Sequence, residues 1–326
     1  MIDDKIELIR GYMKKISVVI PCYNSENTIK DVIDETEKHL KERLSQYDYE
    51  FILINDCSKD NTIEVLKKLT EQNSRIIALD FAKNFGQHAA LLAGFREVSG
   101  DYIICLDDDG QMPIESIYDM VMMLIGDTDV VQGRYQKTKQ SLFRRFGSKV
   151  NAVMAETLIN KPKGLEMNSF WGAKRYVIDE IARYEGPYPY IAGLILRTTS
   201  KIDNLDVKHR SRTSGSSGYT LFRLIRLWMN GFTAFSEKPL RVVSYFGILC
   251  SILGFVYALI IIIRKVLNPE IEVGYSSTIC IILFVGGVIM LSLGIMGEYL
   301  GRSYISINNS PQYVIREKHK KKDGNG

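Results

Sequence analysis

Three consecutive aspartates, Asp107, Asp108 and Asp109, stand with Gly110 and Gln111 directly after the apolar run 102–106. Alternate residues on an extended segment point the same way, so Asp107 and Asp109 can converge on one cation. Oxygen donors of this kind suit Mg²⁺ or Mn²⁺ rather than zinc, and Gln111 can add a neutral oxygen. Mg²⁺ commonly takes one or two carboxylates plus substrate phosphates, so a nucleoside diphosphate would complete such a shell. A solvated acidic turn is the plain alternative. Asp56 follows a second apolar run, 50–54. Its carboxylate can accept a hydrogen bond from a nucleobase or ribose, or it can cap a helix, a role that suits Asp60 better. His88 by itself reads as a packed or capping histidine rather than a base.

The elements that must hold these groups are legible as alternating strands and helices. The short apolar runs 16–20, 50–54, 75–79 and 102–106 read as buried strands. Helical spacing follows the first three: Ile29, Val32, Ile33, Thr36, Leu40 and Leu44, then 61–72, then 87–98. Strands alternating with helices imply βαβ units and a mainly parallel sheet. Ligands of such sheets sit outside the carboxyl ends of the strands. Those ends carry Tyr23 and Asn24, then Asn55 and Asp56, then the aspartate triplet.

Composition sets the outer bounds. The chain has 326 residues, a formal net charge of +4, 46% hydrophobic and 25% charged residues. That excludes a disordered, collagen-like or coiled-coil chain, and the positive excess is too small to argue for nucleic acid. The five cysteines include no C-x-x-C pair, which speaks against a disulfide framework or a zinc site. Residues 1–15 are charged and show no apolar signal-peptide core. The runs 242–263 and 273–297 carry no charge, and each exceeds the approximately 20 residues that span a bilayer. A catalytic part over 1–235 and a two-span hairpin with a basic tail over 236–326 are expected. Lys238, Arg241, Arg302, Arg316, Lys318 and 320–322 flank the hairpin, whereas its connector has Arg264 and Lys265. The positive-inside rule then puts both flanks, and the catalytic part, in the cytosol, on a multi-pass protein of the cytoplasmic (inner) membrane. Near 141–160 and 219–235, basic and apolar residues alternate as in helices at a lipid interface, although core helices would read alike.

The stretches IPCYNSENTI, ILINDCSKDNT, KNFGQHAALLAGF, GDYIICLDDDGQMPIE and RTSGSSGY occur in this order. Together they resemble the family-2 inverting glycosyltransferases of GT-A fold, and within them the polyprenyl-phosphate glycosyltransferases, over roughly residues 16 to 300. The resemblance implies a Rossmann-like α/β domain with a C-terminal transmembrane hairpin. It implies transfer of a sugar from a UDP- or GDP-linked donor to a polyprenyl phosphate such as undecaprenyl phosphate, with Mg²⁺ or Mn²⁺ as cofactor. Pro21, Tyr23, Asn24, Glu26, Asp56 and Asp108 would then line the nucleotide. Asp107, Asp109 and Gln111 match the metal-binding D-x-D-x-Q, with Asp107 and Asp109 catalytic. Arg134, Arg144, Ser148, Arg212 and Ser217 match positions expected at the acceptor phosphate. Departures from the common pattern are Asn55 and Cys57 in place of Asp and Gly, Ser25 in place of an acidic residue, Gly110 in place of Leu, and Gly218 in place of Lys.

Other readings stay open at this point. A polysaccharide synthase would need an acidic base, for which Glu166 and Asp179 are candidates, and a non-catalytic membrane scaffold needs none. Residues around Asn168, Ser169, Phe170, Trp171 and Gly172 are candidates for the sugar side. Homo-oligomerisation is open.

Overall fold

The computed structural model describes residues 13–135, 156, 161–186, 188–208, 238–267, 274–308 and 311–321. Chain contacts divide the protein into two compact units, Met1–Thr220 with Pro311–Gly326, and Leu221–Ser310.

The first unit is built on a sheet that starts with β1 (Lys15–Cys22), β2 (Asp48–Asn55), β3 (Ile76–Phe81) and β4 (Tyr102–Cys105). The helices α1 (Ile29–Arg43), α2 (Thr62–Gln72) and α3 (Gln87–Phe95) make the crossovers between them. These four strands are mutually parallel in the order β4-β1-β2-β3. They are buried on both faces, which is why they read as continuous apolar runs rather than as alternation. Helix α1 buries Ile29, Val32, Ile33, Thr36 and Leu40, the stripe that its spacing dictates.

Beyond β4 the sheet turns mixed. Helix α4 (Ile117–Ile125) leads to β5 (Val130–Tyr135), and β6 (Trp171–Lys174) inserts antiparallel between β4 and β5. Then α5 (Arg175–Ala182) and α6 (Ile191–Thr198) precede β7 (Ile202–Val207), which lies parallel to β5. At the opposite edge, a strand from the C-terminal tail, β8 (Ile315–Lys320), pairs antiparallel with β3. The order is β7-β5-β6-β4-β1-β2-β3-β8. Among the described strands, β6 and β8 run against the other six, so the sheet is mainly parallel, as expected.

Helix α3 lies flush on the sheet because Gly94 lets it. A Cβ there would come within 2.6 Å of Val19 Cγ1 and 2.9 Å of Ile54 Cδ1, both fully buried. Overpacking costs about 1–3 kcal/mol, and the better helix propensity of alanine returns about 1. Gly94→Ala is therefore expected to lower the melting temperature of the purified protein; an unchanged or raised midpoint would show that the contact gives way freely.

The second unit contains α7 (Lys238–Leu267) and α8 (Tyr275–Ile307), of 30 and 33 residues. Among the described residues, one stretch is long and apolar enough to cross a membrane, Phe284–Gly301 in α8. The apolar stretch Tyr245–Tyr257 in α7 is shorter. Both helices expose large apolar side chains, among them Phe255, Met290 and Leu300, each more than 70% accessible. The expected interfacial helices near 141–160 and 219–235 fall almost wholly outside the described residues.

Candidate active site

The carboxyl ends of β1, β2 and β4 converge. After β4, Asp107, Asp108 and Asp109 are each half-buried. Asp107 is held from two sides: the Gln87 amide donates to Oδ1 at 2.9 Å, and the Ser169 hydroxyl donates to Oδ2. Burial pushes the Asp107 carboxyl up to about 6; the Ser169 bond opposes this, and the nearby Asp109 and Asp108 carboxylates add to it. Asp108 is raised too, mainly by burial, although the Tyr23 N–H donates to its Oδ2 at 2.8 Å. Among the described residues no lysine or arginine forms an ion pair with any of the three.

Three carboxylates gathered at one strand end, with no cation paired to them among the described residues, fit a divalent cation. The Gln111 side chain and backbone N–H both donate to Asp109, at 2.6 and 3.0 Å. Turning the amide over would present its oxygen to a cation instead. Among the described residues, no three His, Cys, Asp or Glu side chains make up a complete metal cage. A pair of carboxylates with substrate phosphates filling the rest is the shell that Mg²⁺ commonly accepts.

The neighbouring loops are laced together. Asn24, at φ +55°, accepts the Lys59 N–H at 2.8 Å, and its own N–H goes to Ser58 Oγ at 3.0 Å. Glu26 accepts the Asn61 N–H at 2.8 Å. Asp60 accepts the Thr62 N–H at 3.1 Å, at the start of α2. Cys57 also sits at φ +55°, a conformation that costs a side-chain-bearing residue roughly 1–2 kcal/mol. Tyr23 is 45% exposed at the edge of the site, and Pro21 is half-buried at the end of β1.

Asp56 is buried, and both its oxygens are engaged: Oδ1 by the Phe85 N–H at 2.7 Å and Oδ2 by the Gly86 N–H at 2.8 Å. Burial pushes its carboxyl up, and those two N–H bonds offset part of the shift. Gly86 takes φ +89°, which lets the chain turn there into α3 and bring Gln87 to Asp107. Sequence reasoning missed the holding roles of Gln87 and Ser169, although each lies in a stretch it had singled out.

His88 packs rather than reaches out. Its ring meets Tyr190 edge-on at 5.4 Å, its Nδ1 is buried without a partner, and burial pushes its pKa down from 6.5 to about 4. The unfolded chain therefore takes up this proton first, and stability falls as pH drops from 6.5 towards 4. The effect approaches about 3 kcal/mol at the acid end. His88→Gln should flatten the melting-temperature profile over that window relative to the parent. Parallel profiles would show that the ring is solvated.

Of the residues expected at an acceptor phosphate, Arg134 lies on β5 and forks onto Asp206, with Nε donating to Oδ1 and a terminal nitrogen to Oδ2 at 3.0 Å. Arg144, Ser148, Arg212 and Ser217 lie outside the described residues. Asp179 is engaged by Arg175 at 2.6 Å on α5, which does not favour it as a base.

Residues 17–182, which hold every one of these strand-end groups, match the family described as Glycosyl transferase family 2. The chain belongs to glycosyl transferase family 2. Residues 238–303, which include α7 and most of α8, match the family described as GtrB C-terminal hairpin, and the protein is membrane-associated on that ground. The uncharacterized glycosyltransferase YkcC of Bacillus subtilis (strain 168) is 33% identical over 93% of this chain and 94% of its own length. The undecaprenyl-phosphate 4-deoxy-4-formamido-L-arabinose transferase of Yersinia pestis (strain Pestoides F) is 32% identical over 94% of each chain. Among solved structures, glucosyl-3-phosphoglycerate synthase of M. tuberculosis superposes with a TM-score of 0.48 at 19% identity, covering 70% of this chain and 84% of that one. The family assignment does not rest on that superposition.

Proposed function

We propose that this glycosyltransferase moves a sugar from a nucleotide sugar to a polyprenyl phosphate at the membrane surface. The observation that carries the reading is the pairing, in one chain, of the clustered Asp107–Asp109 carboxylates with an apolar helical hairpin. The name of the Yersinia relative, an undecaprenyl-phosphate transferase, points the same way.

Asp107 and Asp109, with Gln111, would hold Mg²⁺ or Mn²⁺, and a cation bound there neutralises charge on the leaving diphosphate. Gln87 and Ser169 fix the Asp107 carboxylate, so its lone pairs face one way before the donor arrives. The loops carrying Pro21, Tyr23, Asn24, Glu26, Asp56 and Asp108 receive a UDP- or GDP-type nucleotide. Arg134, Arg144, Ser148, Arg212 and Ser217 serve the acceptor phosphate. A phosphate oxygen attacks the anomeric carbon, the bond to the diphosphate breaks, and the configuration inverts. A phosphate monoester has a second pKa near 6 and is mostly dianionic at neutral pH, so the attack needs no general base.

The hairpin is read as a two-span anchor with the catalytic part, 1–235, in the cytosol. Strand β8 lies in the same sheet as β1, so the chain leaves this unit after β7 and returns to it after α8. A chain that returns to one body crosses a bilayer an even number of times. A crossing by α8 thus calls for a second by α7, whose 30 residues extend about 45 Å. Protease added to sealed, right-side-out cells should spare 1–235, and tags at both termini should stay hidden. Tags accessible from outside would overturn this topology.

The reading as a whole is tested in membranes incubated with labelled nucleotide sugars, with and without EDTA. Label should enter solvent-extractable lipid and be lost with EDTA. Label that appears only in polymer would favour a polysaccharide synthase.

A further inference from the structure

The C-terminal tail is far in sequence from the strand-end loops, yet its contacts run to them along two routes. In the first, Tyr313 stacks on Phe81 with centroids 5.3 Å apart and planes at 5°. Phe81 meets Phe85 edge-on at 5.7 Å, and the Phe85 N–H is one of the two donors to Asp56. In the second, the Arg316 guanidinium lies 3.4 Å from Asp80 Oδ2 and donates to the Ala82 carbonyl at 3.1 Å. Asp80 is buried and accepts the Asn55 amide at 2.7 Å. Asn55 Oδ1 in turn accepts from Ser58, whose hydroxyl oxygen receives the Asn24 N–H. The tail is also pinned from behind: Arg96 donates to the Tyr313 hydroxyl at 2.8 Å and to Gln312 Oε1 at 2.9 Å, and holds the Ala182 and Tyr184 carbonyls as well.

We propose that the C-terminal tail, Tyr313 together with β8, is a positioning element of the donor site, in which Tyr313 and Arg316 hold the loops of Asn24 and Asp56 in the shape that accepts the nucleotide. This rests on the nucleotide-sugar reading above. A strand that merely covered a sheet edge would need neither a flat ring stack nor a cation set on a buried carboxylate. The edge pairing itself uses backbone groups alone, whereas these two side chains hold Asp80 and Phe81 at the carboxyl end of β3 and the Ala82 carbonyl that follows. Removing Arg316 leaves the buried Asp80 carboxylate with the neutral Asn55 amide in place of a counter-charge, which loosens the group that anchors the bonds from Asn55 through Ser58 to Asn24.

The test uses the full-length protein in detergent with Mn²⁺, and UDP and GDP as probes. Nucleotide affinity is measured by calorimetry and the apparent KM for undecaprenyl phosphate by transfer assay. Tyr313→Ala and Arg316→Gln should each weaken nucleotide binding about 3- to 10-fold, the size of a lost stack or directed contact. The lipid KM should stay as in the parent. Tyr313→Phe keeps the ring and should bind nucleotide nearly as the parent does. Should Tyr313→Ala not fold, Arg316→Gln carries the same comparison. Variants that melt lower but bind nucleotide normally would reduce the strand to an edge cover and overturn the proposal. Failure of the unsubstituted protein to bind either UDP or GDP would instead refute the donor reading itself, and the proposal with it.

Discussion

Replacing Asp109 by Asn lowers sugar transfer by about 10²- to 10³-fold, as for the loss of a charge aimed at a transition state, and leaves the chain folded. The substitution keeps the shape of the side chain and removes one of the two carboxylates that can share a cation. The neighbouring Asp107→Asn should lose activity similarly, yet melt no lower than the parent in metal-free buffer. Burial holds that carboxyl at about 6 with two further carboxylates close by, so a neutral isostere relieves repulsion. Mn²⁺ should raise the melting temperature of the parent, because a ligand that binds only the folded state stabilises it, and should not raise that of either variant. Full activity of Asp109→Asn, or full activity in EDTA, would remove the metal from this site.

Arg212→Ala is expected to weaken use of the lipid acceptor by roughly 10- to 150-fold while nucleotide binding stays nearly unchanged. A buried charge-assisted contact to phosphate contributes about 1.5–3 kcal/mol, and 1.4 kcal/mol is about tenfold. Arg144→Ala should behave in the same way. Arg→Lys should rescue in part, since an ammonium lacks the planar fork. Arg134 differs, because its guanidinium already forks onto Asp206. The paired measurement is nucleotide affinity by calorimetry and the apparent KM for undecaprenyl phosphate. Loss of nucleotide binding with a normal lipid KM would move Arg212 to the donor site. No change in either would make it surface charge.

The central fold was legible because its strands are buried on both faces. Runs such as Ile16–Ile20 and Phe51–Ile54 have no choice of partner surface, and the helices between them show their stripes plainly. The aspartate triplet was legible for the same reason: it follows such a run, at the edge where this architecture places ligands. Strand β8 was not. Ile315–Lys320 is an exposed, charged edge strand, so its residues read as basic flank, and its pairing with β3 depends on backbone bonds that carry no side-chain signature. Strands β5, β6 and β7 were also hidden, since β6 has only four residues and β7 is mostly half-exposed. At the site, spacing could place Asp107 and Asp109 on one side of the chain. It could not show that Gln87 and Ser169, from distant segments, would fix the Asp107 carboxylate. Nor could it show that backbone N–H groups would already occupy both oxygens of Asp56.

The central claim is that a lipid phosphate oxygen is the nucleophile, and one comparison tests it directly. Purified protein in detergent with Mn²⁺ is given labelled nucleotide sugar and either undecaprenyl phosphate or undecaprenol, which has the same chain and a hydroxyl in place of the phosphate. The account predicts label in lipid with the phosphate alone, in step with release of nucleoside diphosphate and with inverted anomeric configuration. Equal transfer to the alcohol, or transfer only to added sugar oligomers with none to undecaprenyl phosphate, would contradict it.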